Sequence, residues 1–82
     1  MNTELLQPLT SAAQSLKIGI YEHYKGYRYT VLYIARHSES LEEIVVYQAL
    51  YGSKEIWVRP LVMFLEDVII NNQKTPRFRF IE

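Results

Sequence analysis

The sequence has no cysteine, which excludes disulfide bonds and metal sites built on thiolates. It also has no apolar run near the about 18 residues that a membrane-spanning helix needs. The longest run, residues 44–51, is interrupted by Gln48. The N-terminus has no basic start and no small-residue cleavage site, so we expect a cytoplasmic location and no membrane contact.

The chain also has no excess of charge, since nine basic and nine acidic side chains cancel. Proteins that bind nucleic acid mainly through its phosphates usually carry a basic excess. Six of the nine acids lie between Glu39 and Asp67, whereas the basic residues are spread along the chain. A basic patch, if the protein has one, must therefore be assembled by the fold.

What the chain does have is the composition of one globular domain, with 82 residues of which 49% are hydrophobic and 22% charged. We expect residues 1–16 to form an N-terminal extension and residues 17–82 a single β domain. In the extension, Leu9, Ala13 and Leu16 recur at helical spacing after Pro8, which is suited to a first helical turn. A short helix is therefore predicted from Pro8 to Leu16.

From residue 17 onward the pattern is typical of strands. Gly26 suits a tight hairpin, and Pro60 must end a strand because it lacks a donor for the ladder. A one-turn helix is predicted directly after it, at Leu61–Phe64. The predicted strands are residues 18–24, 27–36, 42–51, 56–59, 66–70 and 77–81. This order predicts a mainly β fold, a small SH3-like barrel of five to six antiparallel strands, which removes exposed edges.

Two of these strands need comment. Alternation in residues 27–36 places Tyr29, Val31 and Tyr33 on one face. Ser40 followed by Glu43 matches a helix capping box, but the β-branched and aromatic residues that follow favour the strand at 42–51.

Aromatic and basic side chains are interleaved through the strands, with seven tyrosines in the chain. Tyrosine gives flat contact area and arginine stacks on it, as in surfaces that bind single-stranded nucleic acid or peptides. Tyrosines are also ordinary strand residues with rings in a core and hydroxyls at its rim. We favour a binding surface near the strand ends, formed by Tyr24, Lys25, Arg36, His37, Tyr47 and Arg59.

Trp57 and Arg59 alternate with Val58 and so share one face of their strand. On an outward face they would form a stacked pair fit for a ligand. On an inward face Trp57 would be core and Arg59 would reach an acid such as Glu66. We favour the inward arrangement, because a tryptophan commonly anchors so small a core.

A catalytic or metal site is weakly supported. His37 and Ser38 are adjacent on an extended chain and point apart, which disfavours a catalytic dyad. Two histidines, His23 and His37, stand at no recognised metal-ligand spacing. We therefore expect no catalytic residues, no metal and no cofactor. The alternative, a ligand-binding protein or enzyme, requires His23, His37, Arg36 and Glu39 to converge in space.

Several blocks of the sequence resemble a bacterial family of short proteins known as domain of unknown function 1653. The blocks include residues 19–21, 23–26, 35–39, 45–52, 57–61, 63–64 and 76–78. The resemblance covers about Lys17 to Ile81 and implies a compact, β-barrel-like bacterial domain. It carries over no activity, cofactor or catalytic residue.

Three functions remain open from the sequence. The first is a non-catalytic binding module for nucleic acid or a protein segment, and the second is the ligand-binding protein or enzyme described above. The third is an accessory structural protein, completed by a partner or by self-association. We expect a monomer or a weak homodimer.

Overall fold

The computed structural model describes residues 7–82, and the described chain forms two short helices and seven strands. Five of the strands form one antiparallel sheet in the order β4-β3-β2-β1-β7, and β5 and β6 form a separate hairpin. The mainly β fold class is thus confirmed. The elements are α1 Ser11–Ser15, β1 Gly19–His23, β2 Arg28–Arg36, β3 Glu43–Ala49, β4 Ile56–Pro60, α2 Leu61–Phe64, β5 Asp67–Ile70, β6 Gln73–Pro76 and β7 Phe78–Phe80.

The sheet is open, which corrects the expected closed barrel. β4 and β7 lie at its two edges, and no ladder joins them within residues 7–82. The chain between these two strands forms α2 and the β5–β6 hairpin instead of strands that would complete a barrel. Strand β6 was not predicted, because Gln73–Pro76 has neither apolar alternation nor β-branched runs. Its hairpin turn consists of Asn71 and Asn72, which both adopt positive φ angles, of 50° and 64°.

The two short helices lie where the sequence predicts them. The hydroxyl of Thr10 accepts a hydrogen bond from the Ala13 amide at 3.2 Å and caps α1, which is shorter than the predicted Pro8–Leu16. α2 follows Pro60 as predicted. The first six residues of the predicted extension lie outside the described residues. Its separation from the domain at residue 17 stays a prediction, although Ala13 packs in the core.

A β-bulge at Leu32 changes the predicted face of the second half of β2. Val31 pairs with Tyr47, but Tyr33 pairs with Val46, so the register shifts by one residue between them. Tyr33 is therefore 67% exposed on the outer face. Ile34 takes the position that alternation assigned to Tyr33 and packs against the core.

The core lies on one side of the sheet, here called the inner face. α2 packs across this face, and Phe64 stacks on Phe78 with ring centroids 4.2 Å apart. The buried cluster consists of Ala13, Tyr21, Val31, Val45, Tyr47, Leu61, Phe64 and Phe78. No helix in residues 7–82 is long and apolar enough to cross a membrane.

Candidate functional site

Aromatic and basic side chains of the inner face and of the turn after β1 lie around His23 and Phe78. We call His23, Tyr24, Lys25, Tyr47 and Arg59 the Arg59 cluster. Arg59 pairs with Val45 and Trp57 pairs with Tyr47, so both side chains are on the inner face with Tyr47. The expected inward orientation is therefore correct, but Trp57 is 49% exposed because β4 is the outermost strand. It is not a core residue.

Arg59 lies against aromatic rings and has no acid beside it. Its Nε donates a hydrogen bond to the Tyr47 hydroxyl at 3.3 Å, and its guanidinium lies 5.8 Å from the centre of the Phe78 ring. The expected partner Glu66 instead pairs with Arg77, at 3.1 Å. The predicted strands could not show that Glu66 pairs with Arg77 instead of Arg59, because Arg77 follows β6, which was not predicted.

His23 lies at the centre of the cluster. Its ring stacks on Tyr24 with centroids 4.4 Å apart, and its Nδ1 accepts a hydrogen bond from the Lys25 amide at 3.2 Å. Partial burial lowers the pKa of His23, and the cations of Arg59, Arg77 and Lys25 lower it further. Several positive charges therefore act on one place, although the chain as a whole is neutral.

The other ion pairs lie away from the cluster. On the outer face, Glu22 binds both Arg28 at 3.4 Å and Arg79 at 2.9 Å. Among residues 7–82, no carboxylate lies within salt-bridge distance of Lys25 or Arg59. The fold therefore neutralises the outer arginines and leaves the cations of the Arg59 cluster without acidic partners in the described chain.

A groove adjoins the cluster at the end of the sheet. It has a volume of about 160 Å³, and we call it the Tyr51 groove after Tyr51 on its wall. Tyr29 connects the two places, because its ring packs edge-on against Tyr47 at 5.4 Å and its hydroxyl is 2.7 Å from that of Tyr51. Burial, and then this hydrogen bond, raise the pKa of Tyr29. The groove is lined by Ala49, Tyr51, Gly52, Ser53, Glu55 and Trp57.

Arg36 and His37 lie elsewhere. Arg36 is the last residue of β2 and His37 follows it, so both lie at the far end of this nine-residue strand, about 25 Å from the end near the cluster. Arg36 donates a hydrogen bond from Nη2 to the Gln7 carbonyl, and His37 Nδ1 accepts from the Glu39 and Ser40 amides at 3.1 and 3.3 Å. His37 thus closes a turn. Of the six predicted binding residues, four belong to the Arg59 cluster, and Arg36 and His37 lie apart from it.

The convergence required for an enzyme is also not found. His23 lies at the opposite end of β2 from Arg36, His37 and Glu39. In the part of the chain that the structure describes, no group of three or more His, Asp or Glu side chains could hold a metal ion.

Two residues of this region were missed as site residues. Tyr29 belonged to the interleaved aromatic pattern, but nothing in the sequence showed that it connects cluster and groove. Arg77 was read as part of the last strand. It lies just before β7, and its Nε is buried without a hydrogen-bond partner in residues 7–82.

Comparisons with known proteins agree with the resemblance seen in the sequence. The family model described as "Protein of unknown function (DUF1653)" matches residues 19–80. The chain belongs to the DUF1653 family. A crystal structure of a DUF1653 protein from Bordetella bronchiseptica is similar, with 35% sequence identity and a TM-score of 0.77. The match covers 84% of this chain and 91% of that one. A search of curated proteins finds no match. The DUF1653 match includes the Arg59 cluster and the Tyr51 groove, but its description assigns them no role.

Proposed function

We propose that this DUF1653 protein is a non-catalytic binding module that engages single-stranded nucleic acid through the Arg59 cluster and the Tyr51 groove. The observation that carries the proposal is the separation of its charges. Arg28 and Arg79 are held by Glu22 on the outer face, whereas Lys25 and Arg59 have no acidic partner in residues 7–82. A neutral chain therefore has two cations without acidic partners beside aromatic rings, and Glu55 contributes one carboxylate to the wall of the adjoining groove.

The chemistry of a single strand fits this arrangement. Arg59 and Lys25 supply cations for phosphates, as in other nucleic-acid surfaces. Tyr27, Tyr51 and Trp57 are exposed, and Tyr27 and Tyr51 lie together with centroids 4.9 Å apart. Bases stack on such rings, typically for about 1–3 kcal/mol per base. Tyr51 and Trp57 both line the groove, which lies beside the edge strand β4.

The test is a backbone amide NMR titration of the labelled protein with short mixed oligonucleotides at low salt, followed by affinity measurements at rising salt. We expect shifts at Lys25, Tyr51, Trp57 and Arg59 that fade as salt is added. Arg59→Gln should weaken binding and reduce the salt slope by about 0.7, the value for one phosphate contact on a single strand.

Arg79→Gln is the matched control, because it removes the same charge from an outer-face arginine that Glu22 already binds. It should leave affinity and salt slope close to those of the wild type. An unchanged spectrum of the folded protein, or equal losses in both variants, would show the proposal to be wrong. The other candidate ligand, a protein segment, predicts instead a salt-tolerant contact centred on the exposed tyrosines.

A further inference from the structure

Along the free edge of β4, every second residue directs its backbone N–H and C=O away from β3. β4 pairs with β3 on one side, and within residues 7–82 no strand pairs with its other side. The Ala49 amide donates a hydrogen bond to the Glu55 carbonyl at 3.0 Å. Hydrogen-bonded pairs occur at every second position of an antiparallel ladder, so Tyr47 and Trp57 form the next such pair. The backbone groups of Ile56 and Val58 therefore point toward the open edge.

In β4 the usual protections of an edge strand are confined to its last two residues, Arg59 and Pro60. Folded proteins usually blunt an edge strand with charges, bulges or proline. Ile56, Trp57 and Val58 are 60%, 49% and 65% exposed, and their register with β3 has no bulge. Pro60 ends the strand, and its nitrogen points toward the open edge. Its lack of an N–H therefore removes no hydrogen bond between β3 and β4.

We propose that this edge pairs with β4 of a second copy of the chain, in an antiparallel arrangement about a twofold axis at Trp57. In this register Ile56 lies opposite Val58 of the second copy. Both residues direct their N–H and C=O outward, so each such pair exchanges two hydrogen bonds. The two open sheets would join into one continuous sheet with a self-complementary interface, as a twofold axis requires.

The charges next to the apolar centre fit the same register. Glu55 comes opposite Arg59 of the second copy, in a pair of the kind where side chains approach most closely. Other registers fit less well. A centre at Val58 places Ile56 opposite Pro60, which has no N–H to donate. A centre at Ile56 places Val58 opposite Lys54, which has a φ of 56° and is not in the strand.

The second copy would also alter the candidate site, because Glu55 of one chain would lie beside Arg59 of the other and the edge of β4 would be covered. Trp57 lines the Tyr51 groove and lies on the proposed axis. The two tryptophans would be neighbours across the interface, so each groove would border the second chain. The proposal rests on the edge of β4, however, and does not depend on what the groove binds.

The first test is the molecular mass over a range of concentrations, measured by analytical ultracentrifugation. We expect the mass to rise from 9.7 kDa toward twice that value. Val58→Lys should hold the protein as a monomer. Ile69→Lys is its control, because Ile69 is an equally exposed strand residue in the separate β5–β6 hairpin. A wild type that stays monomeric at all concentrations would overturn the proposal, as would equal effects of the two lysines.

Two further measurements identify the edge and the register. Amide hydrogen exchange should slow at Ile56 and Val58 as concentration rises, while the Trp57 amide, bonded within the monomer, changes little. Glu55→Lys should weaken the dimer by placing like charges opposite each other, and Glu42→Lys, the same change in the β2–β3 loop, should not. Unchanged exchange at Ile56 and Val58 in a dimeric sample would rule out this interface.

Discussion

At the scale of single residues, His23 shows how the neutral chain concentrates charge. It lies against Tyr24 and Phe78, with ring centroids 4.4 and 5.0 Å away. Burial disfavours its charged form, and the nearby cations disfavour it further. A protonated His23 would be one more positive charge in a place that already holds several. The folded protein therefore binds this proton less readily than the unfolded chain does.

This difference predicts a pH dependence of stability. An ordinary histidine has a pKa of about 6.5 in the unfolded chain, and the pKa of His23 in the fold is lower. Between these two values the unfolded state binds more protons, so the free energy of unfolding should fall as pH decreases through this window. His23→Gln should flatten this slope. Urea denaturation from pH 7.5 down to pH 5 measures it, above the range in which Glu22 and Glu43 titrate. Equal slopes in variant and wild type would contradict the prediction.

At the scale of elements, residue type and alternation together predicted most of the fold. Runs of residues that favour strands located β1, β3, β4 and β5, the short apolar run after Pro60 located α2, and alternation located β2 and β7. It failed at Leu32, because a bulge depends on how β2 meets β3 and leaves no signature in β2 alone. It also failed at β6, whose polar residues form a strand through the Asn71–Asn72 turn.

The candidate site was predictable to a similar extent. Alternation correctly placed Trp57 and Arg59 on one face of β4 and Val58 on the opposite face. It did not bring Arg36 and His37 near Lys25, because the predicted strand 27–36 has Lys25 before its start and Arg36 at its end, a separation that the predicted binding surface overlooked. Nor could it show that Glu66 pairs with Arg77, since that contact depends on the β5–β6 hairpin.

The pairing of β1 with the C-terminal segment predicts a difference between two glycines. Gly19 has a φ of 147°, and a Cβ there would lie 2.7 Å from the backbone oxygen of Glu82. That oxygen accepts a hydrogen bond from the Ile20 amide. Gly26 also has a positive φ, of 98°, but a Cβ there would meet nothing within 4 Å.

Both alanine variants should lose about 1–3 kcal/mol to backbone strain. Gly19→Ala should lose clearly more than Gly26→Ala, because it must also displace the end of the chain from β1. Chemical denaturation of the two variants measures the difference. Equal losses in the free energy of unfolding would mean that the C-terminal segment moves away from β1 without any loss of stability.

At the scale of the whole molecule, an open sheet must have its inner face covered by something other than a second sheet. α2 supplies much of that cover with one turn of helix. Phe64 is 1% exposed, stacks on Phe78, and packs edge-on against Tyr21 at 5.3 Å and Tyr47 at 5.7 Å. These rings come from β7, β1 and β3, so a single side chain connects strands from across the sheet.

Phe64 should therefore carry an unusual share of the total stability. Truncating a buried phenylalanine to alanine costs about 3–5 kcal/mol, and a domain of this size is stable by only about 5–10 kcal/mol. Phe64→Ala should lower the free energy of unfolding by that amount and leave the protein close to unfolding at 37 °C. Met63→Ala, next to it on the exposed side of α2, should cost less than about 1 kcal/mol. Thermal and urea denaturation followed by circular dichroism compare the two. Similar small losses in both variants would mean that the sheet holds its shape without α2, and that the inner face is covered in another way.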